Sequence, residues 1–425
     1  MSADSKQPQP PPPGDDWGAA TADTTSLLLS GARLTDGRTV DVRLGGGRIE
    51  AVGTAGSLTA VGARVDLTGY LLLPAPAEPH LHADTALGAD TPGPVSYAAD
   101  EVQRRATEAA LLQLGHGATA LRAHVRVGDV QGLGPLEAVL QARRSLRGLA
   151  DLTTVAVPRL LTGVAGADGL AMLRDALKMG AGVVGGCPDL DPDPTGYVEA
   201  VLEVAAEHGA PVDLHTEGDD PARLARLAAM AGGLRAGVAI GPCAGLDRLP
   251  ADVARRTADR LAAAGVTVVT LPQGGCSAVE GRGAAPARLL RAAGVRLAAG
   301  GGALRDAANP VGRGDPLEPA YLLASQDGLR PQDAYDAVSA AARAAMGLPE
   351  VRVEAGFPAE LLAVRGERLT GVLSLAYSRI VIHRGRVVAR TSAVREYCDS
   401  AAALDLPRQA RPESGGAPGG SDVRS

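Results

Sequence analysis

Histidines carry the chemistry that can be read from this chain. His80 and His82 stand two apart in Leu71-Leu-Leu-Pro-Ala-Pro-Ala-Glu-Pro-His80-Leu-His82-Ala-Asp84. The apolar run before them predicts a buried strand over Leu71–His80, and residues i and i+2 of a strand point the same way. Both imidazoles therefore leave the C-terminal end on one face and supply half of a metal site. A bare His-x-His also caps strands without any ion, so the missing parts have to come from elsewhere. Ala210-Pro-Val-Asp-Leu-His215-Thr-Glu217-Gly-Asp219-Asp220 adds a third imidazole at the end of another predicted strand. Three histidine nitrogens with an open position are a set that activates water at neutral pH. Glu217 is placed to move protons between that water and a leaving group, whereas Asp219 and Asp220 are expected to cap the helix that opens at Pro221.

These residues need a frame that brings distant strand ends together. Between about residues 75 and 348 the pattern alternates strand and helix some eight times. The expected strands are Leu71–His80, Thr119–Val127, Thr153–Leu160, Gly182–Cys187, Pro211–His215, Val238–Gly241, Thr267–Pro272 and Val295–Gly300. Helical periodicity falls between them, as in 98–114, 196–208, 221–231, 251–264 and 284–293. Eight such units predict a (β/α)8 TIM-like barrel, whose chemistry sits at the C-terminal ends of its strands. Short alternating segments at 25–74 and 349–398 predict a small discontinuous β sandwich built from both chain ends. The proline-rich segment 1–24 and the tail 405–425 lack large apolar residues and are expected to be disordered.

Composition narrows the function classes. With 425 residues, 45% of them hydrophobic, the chain can bury a large core. A net charge of −6, with no basic stripe interleaved with aromatics, argues against nucleic acid as a partner. No apolar run approaches the roughly 18 residues of a membrane span, and no secretory signal is visible, so no membrane partner and a cytoplasmic location are expected. Cys187, Cys243, Cys276 and Cys398 lie too far apart for a thiolate zinc motif.

With these residues in view, the span from about 26 to 388 resembles the amidohydrolase superfamily, and within it the cytosine deaminase-like branch. Glu78-Pro-His80-Leu-His82-Ala-Asp84 is similar to that branch's first-strand motif, Leu121-Arg-Ala-His124-Val-Arg126-Val to its second, Val155-Ala-Val-Pro158 to its third, Gly180-Ala-Gly-Val-Val-Gly185 to its fourth and Val212-Asp-Leu-His215 to its fifth. Ala337-Val-Ser-Ala-Ala-Ala-Arg343-Ala-Ala-Met-Gly347-Leu, then Ala355-Gly-Phe-Pro-Ala-Glu360-Leu, resembles the return into the small sandwich. The resemblance implies a zinc or iron ion held by His80, His82 and His215, Glu217 as acid/base, and hydrolysis or deamination at a cyclic C–N bond of a small-molecule ligand. A homo-oligomer is plausible for this barrel type.

Two departures fall on the chemistry. The family places a histidine after the sixth strand, where this chain has Pro242, and a metal-binding aspartate after the eighth, where it has Gly302. That aspartate type serves as ligand and proton acceptor together, so both roles are lost at once. Asp306, four residues on, reads as a turn residue. On the second strand Arg122, His124 and Arg126 alternate with apolar neighbours and form a polar stripe. Arg126 and Arg159, where the family has a carboxylate and a glutamine, make the pocket electropositive, so Arg126, Arg159 and His124 are expected to face the substrate. The competing expectation is that the arginines pair with Glu78, Asp84 or Asp189. The alternative to an impaired hydrolase is a catalytically silent barrel that binds an anionic small molecule or a partner protein.

Overall fold

The computed structural model describes residues 26–91, 93–274, 283–375 and 377–393. The two tails expected to be disordered, 1–24 and 405–425, lie outside the described residues. Five strands come first: β1 (Leu27–Arg33), β2 (Thr39–Gly45), β3 (Arg48–Thr54), β4 (Arg64–Asp66) and β5 (Tyr70–Pro74). Eight follow with helices between them: β6 (Ala77–Leu81), β7 (Ala120–Val127), β8 (Asp151–Pro158), β9 (Val183–Gly186), β10 (Val212–Thr216), β11 (Val238–Pro242), β12 (Thr267–Thr270) and β13 (Arg296–Ala299). Three more close the described chain: β14 (Leu361–Arg365), β15 (Arg379–His383) and β16 (Arg386–Thr391).

β6 to β13 lie side by side in chain order with every neighbour parallel, and the chain forms a (β/α)8 TIM-like barrel. Both chain ends supply the other sheet, in the order β16-β15-β14-β5-β1-β2-β3 with β4 on β1. That sheet has its own apolar cluster, with Leu29, Val42, Leu44 and Ile49 from the first end and Ala363 and Ile382 from the second. One expected strand is corrected. Leu71–His80 is two strands: the apolar run 71–74 belongs to β5, and β6 starts at Ala77. Pro74 and Pro76 bracket the break, and neither can donate a backbone hydrogen bond to a ladder.

Period-2 alternation sorts the barrel strands into an outer and an inner face. Leu121, Ala123 and Val125 of β7, Leu214 of β10, Ile240 of β11 and Val268 of β12 belong to the cluster shared with the helices. Their alternates therefore face inward. At the floor these are small: Ala77, Ala120, Ala239 and Ala298, packed with Val269 and against Ala342 of the short helix Ala340–Ala345. The seam between β6 and β13 carries a parallel bridge from Leu81 to Gly302. Beside it the buried Glu78 carboxylate accepts from the backbone N–H of His80 and of Gly301, each at 2.9 Å.

Ionic contacts join the second sheet to the barrel. Arg379 of β15 forms a two-pronged pair with Asp315 at 2.8 and 2.6 Å, and Arg384 reaches Asp151 at the start of β8 at 2.6 Å. Buried His383 donates to Glu360 at 2.8 Å. Burial alone would raise the Glu360 carboxyl, but hydrogen bonds from His383 and Thr119 and the charge of Arg343 outweigh it and hold the group below the ordinary glutamate range. A depressed carboxyl stabilises the fold fully above its unfolded value of 4.5 and loses that contribution as pH falls below it. Glu360→Gln should therefore be less stable than wild type at neutral pH, and its thermal midpoint should fall less steeply on acidification below pH 4.5. Parallel pH profiles for the two proteins would refute the role of this pair.

Candidate active site

Four imidazoles converge at the C-terminal end of the barrel strands. His80 is the next-to-last residue of β6, His82 lies just past its end, His124 lies on β7 and His215 on β10. Inward alternation brings them together, because Ala123 and Val125 flank His124 on the outer face and Leu214 precedes His215 there. The His80 and His124 rings stack with centroids 4.0 Å apart, and His215 lies 4.4 Å from the first and 4.8 Å from the second. One nitrogen from each of these three lies within 4.8 Å of the others. His82 stands beside them, its Nε2 3.2 Å from His215 Nε2.

The environment keeps three of these rings, His80, His82 and His215, uncharged. Burial, and then the neighbouring imidazoles and arginines, push His80 and His215 well below the ordinary histidine range. Burial, with His124 and Arg126 behind it, lowers His82 to about 3. Neutral imidazole is the form that donates a lone pair to a metal. Nδ1 of His215 and both ring nitrogens of His124 are buried without a hydrogen-bond partner. Lone pairs so exposed to one another are costly unless a cation satisfies them, and the donor set suits a divalent ion. His124, expected to face substrate, thus stands within the nitrogen cluster.

Beneath the imidazoles lie Arg122, expected on the polar stripe of its strand, and Asp213, to which the sequence assigned no role. Asp213 is fully buried inside the barrel, where Arg122 Nη1 donates to its Oδ2 at 2.8 Å, and its Oδ1 lies 3.5 Å from His124 Nε2. Burial opposes its charge, but His124 and Arg122 outweigh that and hold the carboxyl well below the usual range. Arg122 also donates to the carbonyl of Ala345 at 3.0 Å, so it is tied to the floor. The signal was present in the spacing: Asp213 is two residues before His215 and shares its face.

Glu217 lies just past β10 in a loop anchored by Asp189. That carboxylate accepts from Thr216 Oγ1 at 3.0 Å, from Glu217 N at 2.9 Å and from Arg223 Nη1 at 2.7 Å. Half-burial, with Asp189 and Asp219 adding to it against Arg248, raises the Glu217 carboxyl. Asp220 caps the helix Pro221–Ala231 through the N–H groups of Ala222 and Arg223. Each mouth arginine has a carboxylate neighbour: Arg126 Nε is 3.6 Å from Asp84, and Arg159 Nη1 is 3.7 Å from Asp129. Both guanidinium side chains remain about two-thirds exposed, at 66%. Asp306 accepts from the backbone N–H of Ala308 and Asn309, as a turn residue does.

The two departures have different structural forms. Pro242 is the buried last residue of β11, in register with Thr216. Gly302 has φ +69°, and a Cβ added there would stand 2.9 Å from Leu271 Cδ1. The backbone at 302 is left-handed, and Leu271 fills the space beside it. Gly302→Asp should cost about 1 kcal/mol from the left-handed backbone, less than a branched residue would, and should not restore catalysis by itself. Gly302→Asp with Leu271→Ala opens the space. Denaturation midpoints and turnover of both variants test this; full recovery in the single variant would contradict it.

Comparisons with known proteins agree with this geometry. The model of the amidohydrolase family matches residues 95–389. Pterin deaminase of Rhizobium rhizogenes is 26% identical over 389 residues, covering 83% of this chain and 88% of that protein. The crystal structure of N-isopropylammelide isopropylaminohydrolase from Burkholderia multivorans superposes with a TM-score of 0.77 at 26% identity, over 87% of this chain and all of that one. That of 5-methylcytosine deaminase from Klebsiella pneumoniae gives 0.76 at 23% identity, over 87% and 99%, and speaks to the fold alone. The barrel, its histidine cluster and the matched span together make this chain a member of the amidohydrolase family.

Proposed function

We propose that this chain is a metal-dependent hydrolase acting on a C–N bond of a nitrogen heterocycle, with zinc or iron held in the histidine cluster by His80, His82 and His215. The observation that carries the reading is the convergence of His80, His124 and His215, one nitrogen of each within 4.8 Å of the others, with His80 and His215 held uncharged and nitrogens of His124 and His215 buried without a hydrogen-bond partner. A divalent ion bound there would act as a Lewis acid on water or on the ring. Glu217 is the proton carrier in this reading, because it lies just past His215 and its half-buried carboxyl, raised by burial, is more readily protonated than an exposed one. Arg126, at the mouth beside Asp84, orients the ligand. The substrate class is suggested by the relatives at 26% identity, whose names specify pterin and N-isopropylammelide.

Gly302 and Pro242 favour a second reading, in which the barrel binds an anionic small molecule through Arg126 and Arg159 and turns nothing over. Fold alone does not decide between the two, since function resides in the site. Elemental analysis of purified protein, with a screen for ammonia or amine release from pterin, cytosine, 5-methylcytosine and N-isopropylammelide, separates them. The expected result is one divalent ion per chain and turnover well below the ~10 per second of a typical enzyme. Chelation should also lower the thermal midpoint, because an ion bound only by the folded state stabilises it. Bound metal without turnover on any heterocycle, paired with stabilisation by carboxylates or phosphate, would establish the silent barrel instead.

A further inference from the structure

His124 is harder to explain than the other three histidines. It is 3% exposed, both of its ring nitrogens lack a hydrogen bond, and it lies flat against His80. A side chain present only to fill space there would be better apolar, since a buried polar ring without partners costs free energy. Behind it, Asp213 commits Oδ2 to Arg122 and leaves Oδ1 3.5 Å from His124 Nε2. An imidazole that stands beside a fixed carboxylate and has a ring nitrogen within 4.8 Å of nitrogens of two other histidines has the makings of the arrangement by which outer carboxylates orient metal-binding histidines.

The geometry points to His124 as a further metal ligand, added to the His80, His82 and His215 of the proposed function, with Asp213, locked by Arg122, as the positioning residue that orients it. This inference rests on the metal-binding reading of the cluster. It accounts for two observations together: Gly302 brings no carboxylate from β13, and a nitrogen from β7 stands within 4.8 Å of those from β6 and β10. The donor set is then entirely imidazole. Asp213, already paired with Arg122, stands behind His124 in this arrangement and would not itself be a ligand.

Cobalt(II) is a suitable probe, because its visible spectrum reports the ligands as well as occupancy. Metal-free full-length protein would be titrated with Co(II) alongside His124→Gln, Asp213→Asn and the double variant Arg122→Gln/Asp213→Asn, with far-ultraviolet circular dichroism as a control for folding. The double variant removes both charges together, so a misfolded Asp213→Asn leaves the question answerable. His124→Gln should change the Co(II) spectrum and weaken binding, and loss of Asp213 should weaken it 10- to 100-fold, as loss of an outer-layer partner does. Wild-type binding that persists in folded His124→Gln and in the double variant, with the same spectrum and affinity, would overturn this assignment while leaving the metal site intact. Wild-type protein that takes up neither Co(II) nor Zn(II) nor Fe(II) would overturn the metal reading itself.

Discussion

A parallel barrel must close, and here closure rests on the Glu78 carboxylate. It joins β6 to the end of β13 by accepting from His80 N and Gly301 N, beside the Leu81–Gly302 bridge. The clasp dictates its surroundings. A Cβ at Gly300 would come within 2.4 Å of Glu78 Oε1, so only glycine fits opposite the clasp. Burial pushes the Glu78 carboxyl up to about 7 while the two N–H groups pull it back. The same acceptor that shuts the seam fixes the backbone of His80, so barrel closure and placement of the first imidazole are one event.

Above the alanine floor, polarity is arranged in layers. Arg122 and Asp213 form a buried ion pair across the interior from β7 to β10, and the imidazoles lie above it. Pairs of this kind are poor sources of stability, because desolvation offsets most of the attraction. Replacing them with packed apolar side chains would fill the space at no loss. Their retention makes sense as orientation: Arg122 is anchored below to Ala345, and Asp213 transmits that anchor upward to His124.

Particular residues show what could be read in advance. The strand ends, His80, His82 and His215 were legible because period-2 alternation and parallel topology together dictate where such side chains go. The same rule put His124 on the inner face, but alternation gives a face and not a height, and height decides whether a ring meets substrate or its fellow imidazoles. The apolar run 71–74 looked continuous with β6 because hydrophobicity does not say which sheet a strand joins. For Arg126 the partner is Asp84, one of those expected, whereas Arg159 meets Asp129, on a short turn after β7 that no periodicity marks. Gly302 looked like a lost side chain; its left-handed backbone, set by the seam and Leu271, has no signature in the letters around it.

The Arg122 guanidinium has a further consequence, in the order of assembly. It spans 91 residues to Asp213 and 223 to Ala345, and the Glu78–Gly301 contact spans 223 as well. Contacts at such separations form late, after loop closure has been paid for, and large chains reach them through partly organised intermediates. A nascent chain emerging from the ribosome carries all four clustered histidines by residue 215, yet the seam waits for residue 301 and the floor anchor for residue 345. Until then the ladders from β6 to β10 can pair but the barrel they belong to is open, so the site takes its final shape only after the floor and the seam have been made.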